Sequence, residues 1–249
     1  TKYSRKKEDG SKERWHECVR RCIEGMYSIQ KNFVEQQRIP WNHNKAQRSA
    51  EEAYDLMFRG VWTPPGRGLE HMGTDLIFEF GSAPLQNCSF ISTEHLGPRN
   101  PTEPFVLLME MSMLGIGVGF DTKGAGKLEV FEPLDEVEVH VVEDSREGWV
   151  KSYETLLRSY FVANQKTVEF DTSGIREKGA PIKRFGGTAP GPGPLVRLHR
   201  DVRMVLDRYI GEMIDSRLIT DLNNLSGYCV VSGGRRRTAE IAFGDLDDK

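Results

Sequence analysis

The sequence is poor in the features that would place it outside the soluble proteins. Only four of its 249 residues are cysteine, too few for a disulfide framework, which favours a reducing, cytoplasmic location. The longest apolar run, residues 105–120, is interrupted by Glu110 and three glycines, so no segment is expected to cross a bilayer. The basic, polar start of the sequence does not resemble a signal peptide.

An excess of charge of either sign is also missing. There are 34 Lys and Arg residues against 37 Asp and Glu residues, a net charge of -3. This balance gives no reason to expect DNA, RNA or an anionic membrane as a partner. The fractions of hydrophobic residues (38%) and charged residues (29%) are those of an ordinary globular protein. The length allows one large domain or two small ones.

Helical spacing dominates the first sixty residues. A first helix is predicted over residues 13–29, and a second over residues 46–59 with Ser49 and Glu52 as a capping pair. We therefore predict a helical N-terminal subdomain at residues 1–60. The apolar positions that recur at helical spacing in the first helix are Trp15, Cys18, Val19, Cys22, Ile23 and Met26.

From residue 61 onwards, short apolar segments alternate with glycine- and proline-rich turns. Strands alternating with helices predict an α/β arrangement with a mainly parallel sheet over residues 61–249. One of the helices has a candidate N-cap at Asp144 or Ser145. The predicted strands are 76–80, 89–92, 118–120, 136–142 and 168–170, and the predicted helices are 104–114, 148–163 and 195–214.

The cysteines allow two interpretations. Cys88, in PLQNCSF, is either a small core residue on a strand or a redox thiol that requires a partner thiol nearby. Cys18 and Cys22 share a helix face, but even with His16 they fall short of the four ligands of a structural zinc site. We predict that Cys18, Cys22 and Cys229 pack in the core, and we predict no metal site.

The first glycine-rich run, GIGVGFDTKGAGK at residues 115–127, does not match the common nucleotide-binding motifs. Phe120 stands where a dinucleotide fingerprint needs its third glycine, and Leu128 follows Lys127 where a P-loop needs Ser or Thr. Two interpretations remain for this run. It is a cluster of turns, or it lets a ligand lie directly against the backbone.

Two further segments could bind an anion. FGGTAPGPGPL at residues 185–195 predicts a loop whose exposed N–H groups, just before a helix, favour phosphate. SGGRRRTAEIAFGD at residues 232–245 contains three consecutive arginines, which suit phosphate or carboxylate but also fit a solvated surface. Neither segment by itself identifies a reaction.

Six strings, taken in order, resemble the adenosylcobalamin-dependent (class II) ribonucleoside-triphosphate reductases. Each has a close counterpart in that family, in the same order and with similar spacing, and the resemblance covers essentially the whole chain. The six strings are TPPGRGLEHMGTD, LQNCSF, GIGVGF, DSREGWV, FGGTAPGPGPL and SGGRRRTAEIAFG.

The resemblance implies a fold and a reaction. The fold would be a helical part followed by the first half of a ten-stranded α/β barrel. The reaction would replace the ribose 2′-OH of a ribonucleoside triphosphate with hydrogen, initiated by adenosylcobalamin through a thiyl radical on a cysteine. A glutamate would act as general base, and two further cysteines, one of them Cys88, would supply reducing equivalents and end as a disulfide.

The resemblance also implies roles for other residues. Thr74 and Asn87 would surround the substrate, and the ribose would lie against bare backbone at Gly117 and Gly119. A specificity loop would couple a deoxynucleotide effector to the choice of base, with a thioredoxin-type protein as reductant. Pro190, where the family more often has Ser, stiffens this loop. Its residues would be Gly186, Gly187, Thr188, Ala189, Pro190 and Gly191.

Other parts of the family's catalytic apparatus are not found in this sequence. There is no NPCGE motif for the radical cysteine and general base, no C-terminal cysteine pair, and no assignable cobalamin-binding element. The stretch between Phe120 and Asp144 also looks shorter than in the monomeric members. We expect a fragment or a split-gene subunit that is inert alone. The alternatives are an inactive nucleotide-binding or assembly module, or an unrelated α/β enzyme that binds phosphate with its glycine loops.

Overall fold

The computed structural model describes residues 3–5, 7, 9–182, 188–232 and 238–247. The chain divides into two compact units, residues 1–87 and residues 88–249. The sequence predicts the boundary between the helical subdomain and the α/β part near residue 60. The first unit extends further because residues 61–87 add more helix rather than the first strand of the sheet.

The described residues of the first unit form four α-helices, α1 (Trp15–Gln36), α2 (His43–Phe58), α3 (Gly66–His71) and α4 (Asp75–Phe80), followed by a short 3-10 helix at Ala83–Leu85. The apolar face of α1 forms its core with one buried residue of α2, which confirms the helical spacing read from the sequence. The buried members of this core cluster are Cys18, Val19, Cys22, Ile23 and Met57.

Two predictions for this unit are wrong. Residues 76–80 form helix α4 rather than a strand, and the adjacent residues Leu76 and Ile77 are both buried. A short apolar run does not by itself distinguish a strand from a turn of helix. Helix α2 begins earlier than predicted, because the Asn42 side chain accepts a hydrogen bond from the Lys45 N–H, so Ser49 and Glu52 lie within the helix.

Arg21 of α1 pairs with Glu13 and binds the end of α3. Arg21 Nε lies 2.7 Å from Glu13 Oε1, and both side chains are largely buried. The Arg21 guanidinium also donates to the carbonyl oxygens of Leu69 and Met72. Burial alone would raise the pKa of Glu13, but its hydrogen bonds and Arg21 outweigh burial and lower it.

The second unit contains two small sheets, both parallel as the sequence predicted. In the first, β2 (Gly117–Asp121) lies between β1 (Cys88–Ile91) and β5 (Glu240–Phe243). In the second, β3 (Leu134–Val141) pairs with β4 (Lys166–Asp171). Four of the five predicted strands are therefore confirmed, and β5 was not predicted.

Four helices connect and cover these strands: α5 (Glu103–Met113), α6 (Arg146–Phe161), α7 (Gly193–Leu206) and α8 (Ser216–Val231). The Ser145 side chain accepts from the Gly148 N–H and caps α6 as predicted. Helix α7 ends at Leu206 rather than near residue 214, and α8 was not predicted. Among the described residues, no helix combines the length and apolar character of a membrane span.

Candidate functional site

Cys88 lies at the start of β1, directly opposite Gly117 of β2 in the parallel ladder. Its side chain is exposed, whereas Cys18, Cys22 and Cys229 are buried. All four cysteines fall within the described residues, and none forms a disulfide. The ladder thus places the exposed thiol beside the first of the two glycines that the sequence singled out.

Gly119, two residues further along β2, is less open than the sequence predicts. A Cβ atom built on Gly119 would lie 3.1 Å from Phe90 Cδ2, 3.3 Å from Ile241 Cγ2 and 3.4 Å from Phe243 Cε2. Side chains from both neighbouring strands therefore occupy the space beside this glycine, rather than leaving the backbone bare on that face. Because side chains alternate along a strand, Cys88 shares this face with Phe90.

The opposite face of the same sheet carries buried polar groups that the sequence did not reveal. Ser89, Val118 and Glu240 stand in one row across the three strands. The Ser89 hydroxyl and both Glu240 carboxyl oxygens are buried without a hydrogen-bond partner. Glu240 rests against α8 at Gly227, where a Cβ would collide with the Glu240 carboxyl group. Only the pairing of β5 with β2 turns this glutamate inward.

We expect the pH dependence of stability to report on this buried carboxyl group. Burial raises the pKa of Glu240 from its ordinary 4.5 to about 7, so the folded chain keeps a proton that the unfolded chain releases. The free energy of unfolding should therefore fall as the pH rises through this window, by at most about 3 kcal/mol. Urea unfolding at about pH 5 and about pH 8 measures this fall.

The substitution Glu240→Gln should remove this component of the pH dependence, because glutamine keeps the shape but does not titrate. The exposed Glu177 provides the matched control, and Glu177→Gln should retain the wild-type difference between the two pH values. An equal fall in stability for wild type and Glu240→Gln would show that Glu240 does not hold the proton.

At the carboxyl ends of β1 and β2, a polar network joins the two strands. Asp121 accepts from the Ser92 hydroxyl at 2.6 Å and from the Thr93 N–H at 2.7 Å. Burial would raise the pKa of Asp121, but hydrogen bonds from Ser92 and Thr93 outweigh burial and lower the pKa. Sequence reasoning missed this network, although the spacing of ISTE and GFDT after two strands was an available signal.

Thr74 and Asn87 belong to the first unit. Thr74 is half-buried, immediately before α4, and its hydroxyl donates to the His71 carbonyl at 2.6 Å. Asn87 is exposed and directly precedes β1. The chain connection alone therefore places the Asn87 backbone next to Cys88.

Part of the predicted specificity loop can be described. Gly186 and Gly187 lie outside the described residues, as do Arg235, Arg236 and Arg237 of the arginine run. Thr188 is exposed, whereas Ala189 is buried and exchanges backbone hydrogen bonds with the 179–180 segment. Pro190 is half-buried, and Gly191 has a φ of 75°. The described end of the loop is thus anchored by its backbone just before α7.

The remaining cysteines behave as core residues. Burial raises the pKa of the Cys18 thiol, and it raises the pKa of the Cys22 thiol to about 12, so both stay protonated. No cluster of three or more His, Cys, Asp or Glu side chains in the described part of the chain could hold a metal ion.

Two cavities are the best defined among the described residues. One, of about 270 Å³, opens beside Arg20, Arg21 and Gly73 in the first unit. The other, of about 180 Å³, lies beside Lys151, Arg158 and Lys166 in the second. Pockets for drug-sized ligands measure about 300–1,000 Å³, and a corrinoid is larger than such ligands. Neither cavity fits adenosylcobalamin.

Two family models match the sequence. The "Ribonucleotide reductase alpha domain" matches residues 1–74, and the "B12-dependent ribonucleotide reductase, insertion domain" matches residues 121–206. The first match covers most of the helical unit, and the second includes β3, α6 and β4. Both models describe parts of one class of enzyme, the ribonucleotide reductases.

Curated relatives indicate which kind of ribonucleotide reductase the chain resembles. The chain is 46% identical to the probable adenosylcobalamin-dependent ribonucleoside-triphosphate reductase of Dictyostelium discoideum and 42% identical to the adenosylcobalamin-dependent ribonucleoside-triphosphate reductase of Euglena gracilis. These alignments cover 98% and 99% of this chain but 34% of each relative. The chain therefore spans about a third of the length of these relatives.

A solved structure agrees with both comparisons. The crystal structure of a B12-dependent (class II) ribonucleotide reductase matches with a TM-score of 0.83 at 27% sequence identity, over 99% of this chain and 41% of that one. The chain is thus similar over nearly its whole length to part of the B12-dependent ribonucleotide reductases. This confirms the resemblance carried by the six strings and the predicted α/β class.

Proposed function

We propose that this chain is part of an adenosylcobalamin-dependent ribonucleotide reductase that converts ribonucleoside triphosphates into 2′-deoxyribonucleotides. The observation that carries the proposal is an exposed Cys88 thiol at the start of a parallel strand, opposite Gly117. Relatives at 42–46% identity are named as enzymes of this activity. Because the chain spans about a third of them, the activity is proposed for the intact reductase that contains this sequence.

Cys88 would be one member of the reducing pair. In the overall reaction, two thiols lose two electrons and two protons, the 2′-hydroxyl leaves as water, and hydrogen takes its place on the ribose. The thiols end as a disulfide, which a thioredoxin-type dithiol would reduce by exchange. Cys229 is buried on α8, and Cys18 and Cys22 lie buried on α1. We therefore expect the second thiol to come from outside this chain.

Thr74, Asn87, Gly117 and Gly119 would line the substrate's surroundings. Gly117 lies opposite the thiol, and the exposed Asn87 precedes it in the chain. For Gly119, packing against Phe90, Ile241 and Phe243 supports an indirect contribution.

The loop at residues 186–191 would respond to a deoxynucleotide effector. Its described end is held by backbone hydrogen bonds and is followed by the N-terminus of α7. An alignment with the Levilactobacillus brevis reductase extends over 290 positions, more than this chain has residues. That relative therefore carries residues that this chain lacks.

The relatives' names supply the cofactor assignment. We propose adenosylcobalamin for the intact reductase, but the described residues do not fit it. The two best-defined cavities, of about 270 Å³ and 180 Å³, are both smaller than pockets for drug-sized ligands. No residue of this chain is therefore assigned to the cofactor.

Turnover assays test the proposal. The intact reductase, supplied with adenosylcobalamin and a dithiol, should convert ribonucleoside triphosphates into the deoxy products, and the 249-residue chain alone should convert none. Added deoxynucleotides should alter the preference among the ribonucleotide substrates if the loop acts as proposed. If the intact protein binds nucleotides but forms no deoxy product, the proposal is wrong and the chain is an inactive nucleotide-binding module.

A further inference from the structure

Two aromatic rings from non-adjacent strands meet across β2. Phe90 of β1 and Phe243 of β5 have ring centroids 5.8 Å apart and lie edge to face at 62°. Neighbouring strands are about 4.8 Å apart, so the backbones of β1 and β5 are separated by roughly twice that distance. The rings can meet only by leaning over the middle strand. We call this pair the aromatic bridge.

Gly119 is the residue beneath the aromatic bridge. Its missing Cβ would approach Phe90 Cδ2 to 3.1 Å and Phe243 Cε2 to 3.4 Å, so a side chain at this position would push the rings outward. Its φ is not in the left-handed region, which means that backbone conformation does not require glycine here. The close approach of the two rings therefore leaves little room for a side chain at position 119.

Within this chain, the bridge lies outside the hydrophobic core. Phe90 and Phe243 are 56% and 51% exposed, whereas Phe120 on the other face of the sheet is 1% exposed and belongs to the core. The bridge instead ties together three short strands. β1 has only four residues and lies at the edge of the sheet, where β2 is its single pairing partner among the described strands.

Cys88 lies two residues before Phe90 on this edge strand, about 7 Å away along the backbone and on the same face. Packing of Phe90 against Gly119 holds the backbone of β1, and this backbone sets the direction in which the Cys88 side chain points. The carbonyl of Phe243 in turn accepts a hydrogen bond from the Thr122 N–H at 3.1 Å, so the other end of the bridge is anchored to the end of β2.

We propose that Phe90 and Phe243, seated on Gly119, are positioning residues for the Cys88 thiol. They act through the strand that carries the thiol and do not touch the reacting atoms. The turnover test of this proposal rests on the redox role proposed for Cys88. The alkylation test does not, because it reports the position of the thiol without turnover.

Alkylation of Cys88 by iodoacetamide in the folded 249-residue chain is the first test, since the other cysteines are buried. Phe243→Leu and Gly119→Ala should each change the rate constant. In the double variant Phe243→Leu/Gly119→Ala, the two changes should not be independent. The combined change in the alkylation rate constant should be smaller than the product of the two single changes by at least about twofold. Phe90→Tyr keeps the ring and should retain the wild-type rate, and Val139→Ala, at an exposed position of the other sheet, is the control.

Turnover of the intact reductase is the second test. Misplacement of a reacting group by about 1 Å can lower the rate by up to about a hundredfold. We therefore expect Phe243→Leu to lower kcat by about tenfold or more. KM for the nucleotide should stay within about twofold of wild type.

Two outcomes overturn the positioning proposal. One is a lower melting temperature with unchanged Cys88 alkylation, which would mean that the rings serve stability alone. The other is normal kcat in Phe243→Leu when Cys88→Ser is inactive. Full turnover in Cys88→Ser would instead refute the proposed function while leaving the alkylation result standing, so the two failures can be told apart.

Discussion

Replacing Cys88 with serine should abolish deoxynucleotide formation by the intact reductase. A serine hydroxyl does not give up its hydrogen as a thiol does and cannot close a disulfide, so both steps assigned to Cys88 would be lost. Loss of a group that takes part in the chemistry lowers turnover by about a thousandfold or more. Formation of deoxyribonucleoside triphosphate, measured with adenosylcobalamin and excess dithiol, gives the result directly.

The structure provides a control for this substitution. Cys88 is exposed and forms no disulfide, so Cys88→Ser should change the free energy of unfolding by less than about 0.5 kcal/mol. Cys229→Ala, in the same unit but buried on α8, should keep turnover. If Cys88→Ser keeps turnover within about tenfold of wild type, the loss is far smaller than removal of a reacting group causes. Cys88 would then not belong to the reducing pair.

The largest effect on stability is expected from Gly73→Ala in the first unit. Gly73 has a φ of 73°, and a Cβ there would collide with the backbone carbonyl oxygen of Arg21 on α1. The left-handed conformation costs about 1–2 kcal/mol for a residue with a Cβ, and the steric conflict adds about 1–3 kcal/mol. Urea unfolding followed by tryptophan fluorescence suits this unit, which contains Trp15, Trp41 and Trp62.

Gly60→Ala is the matched control for Gly73→Ala. Gly60 has nearly the same φ, 76°, but nothing lies within 4 Å of the Cβ position. It should therefore show only the conformational cost of about 1–2 kcal/mol, and the difference between the variants isolates the contact with α1. Equal losses for the two would mean that the segment at Gly73 does not pack closely on α1.

The TPPGRGLEHMGTD string shows how a motif can be recognised without its role being understood. From sequence it supported the resemblance and suggested substrate surroundings at Thr74. In the structure its glycines are packing positions: Gly68 faces Pro64, and Gly73 faces Arg21. A Cβ at Gly25 of α1 would likewise lie 2.5 Å from the Gly73 Cα. The contacts of Gly73 with α1 join residues about fifty positions apart and leave no local pattern to read.

Some features of the candidate site could be predicted from the sequence, and others could not. The alternation of PLQNCSF and GIGVGF predicts two strands, and β1 and β2 confirm them. The inward Glu240 and the aromatic bridge depend on β5, which no sequence pattern announced. Four residues between an arginine run and a polar end carry too little periodicity to distinguish a strand from a loop.

By itself, the sequence determined the α/β class, the helical first part, most strand positions and the family resemblance, because spacing and motif order are properties of neighbouring residues. Tertiary structure decided which surfaces these elements present. Pairing of β5 with β2, across more than a hundred residues of chain, turns Glu240 inward and brings Phe243 over Gly119. Burial and ring contact arise only when distant segments share a sheet, so no local pattern in the chain could have supplied them.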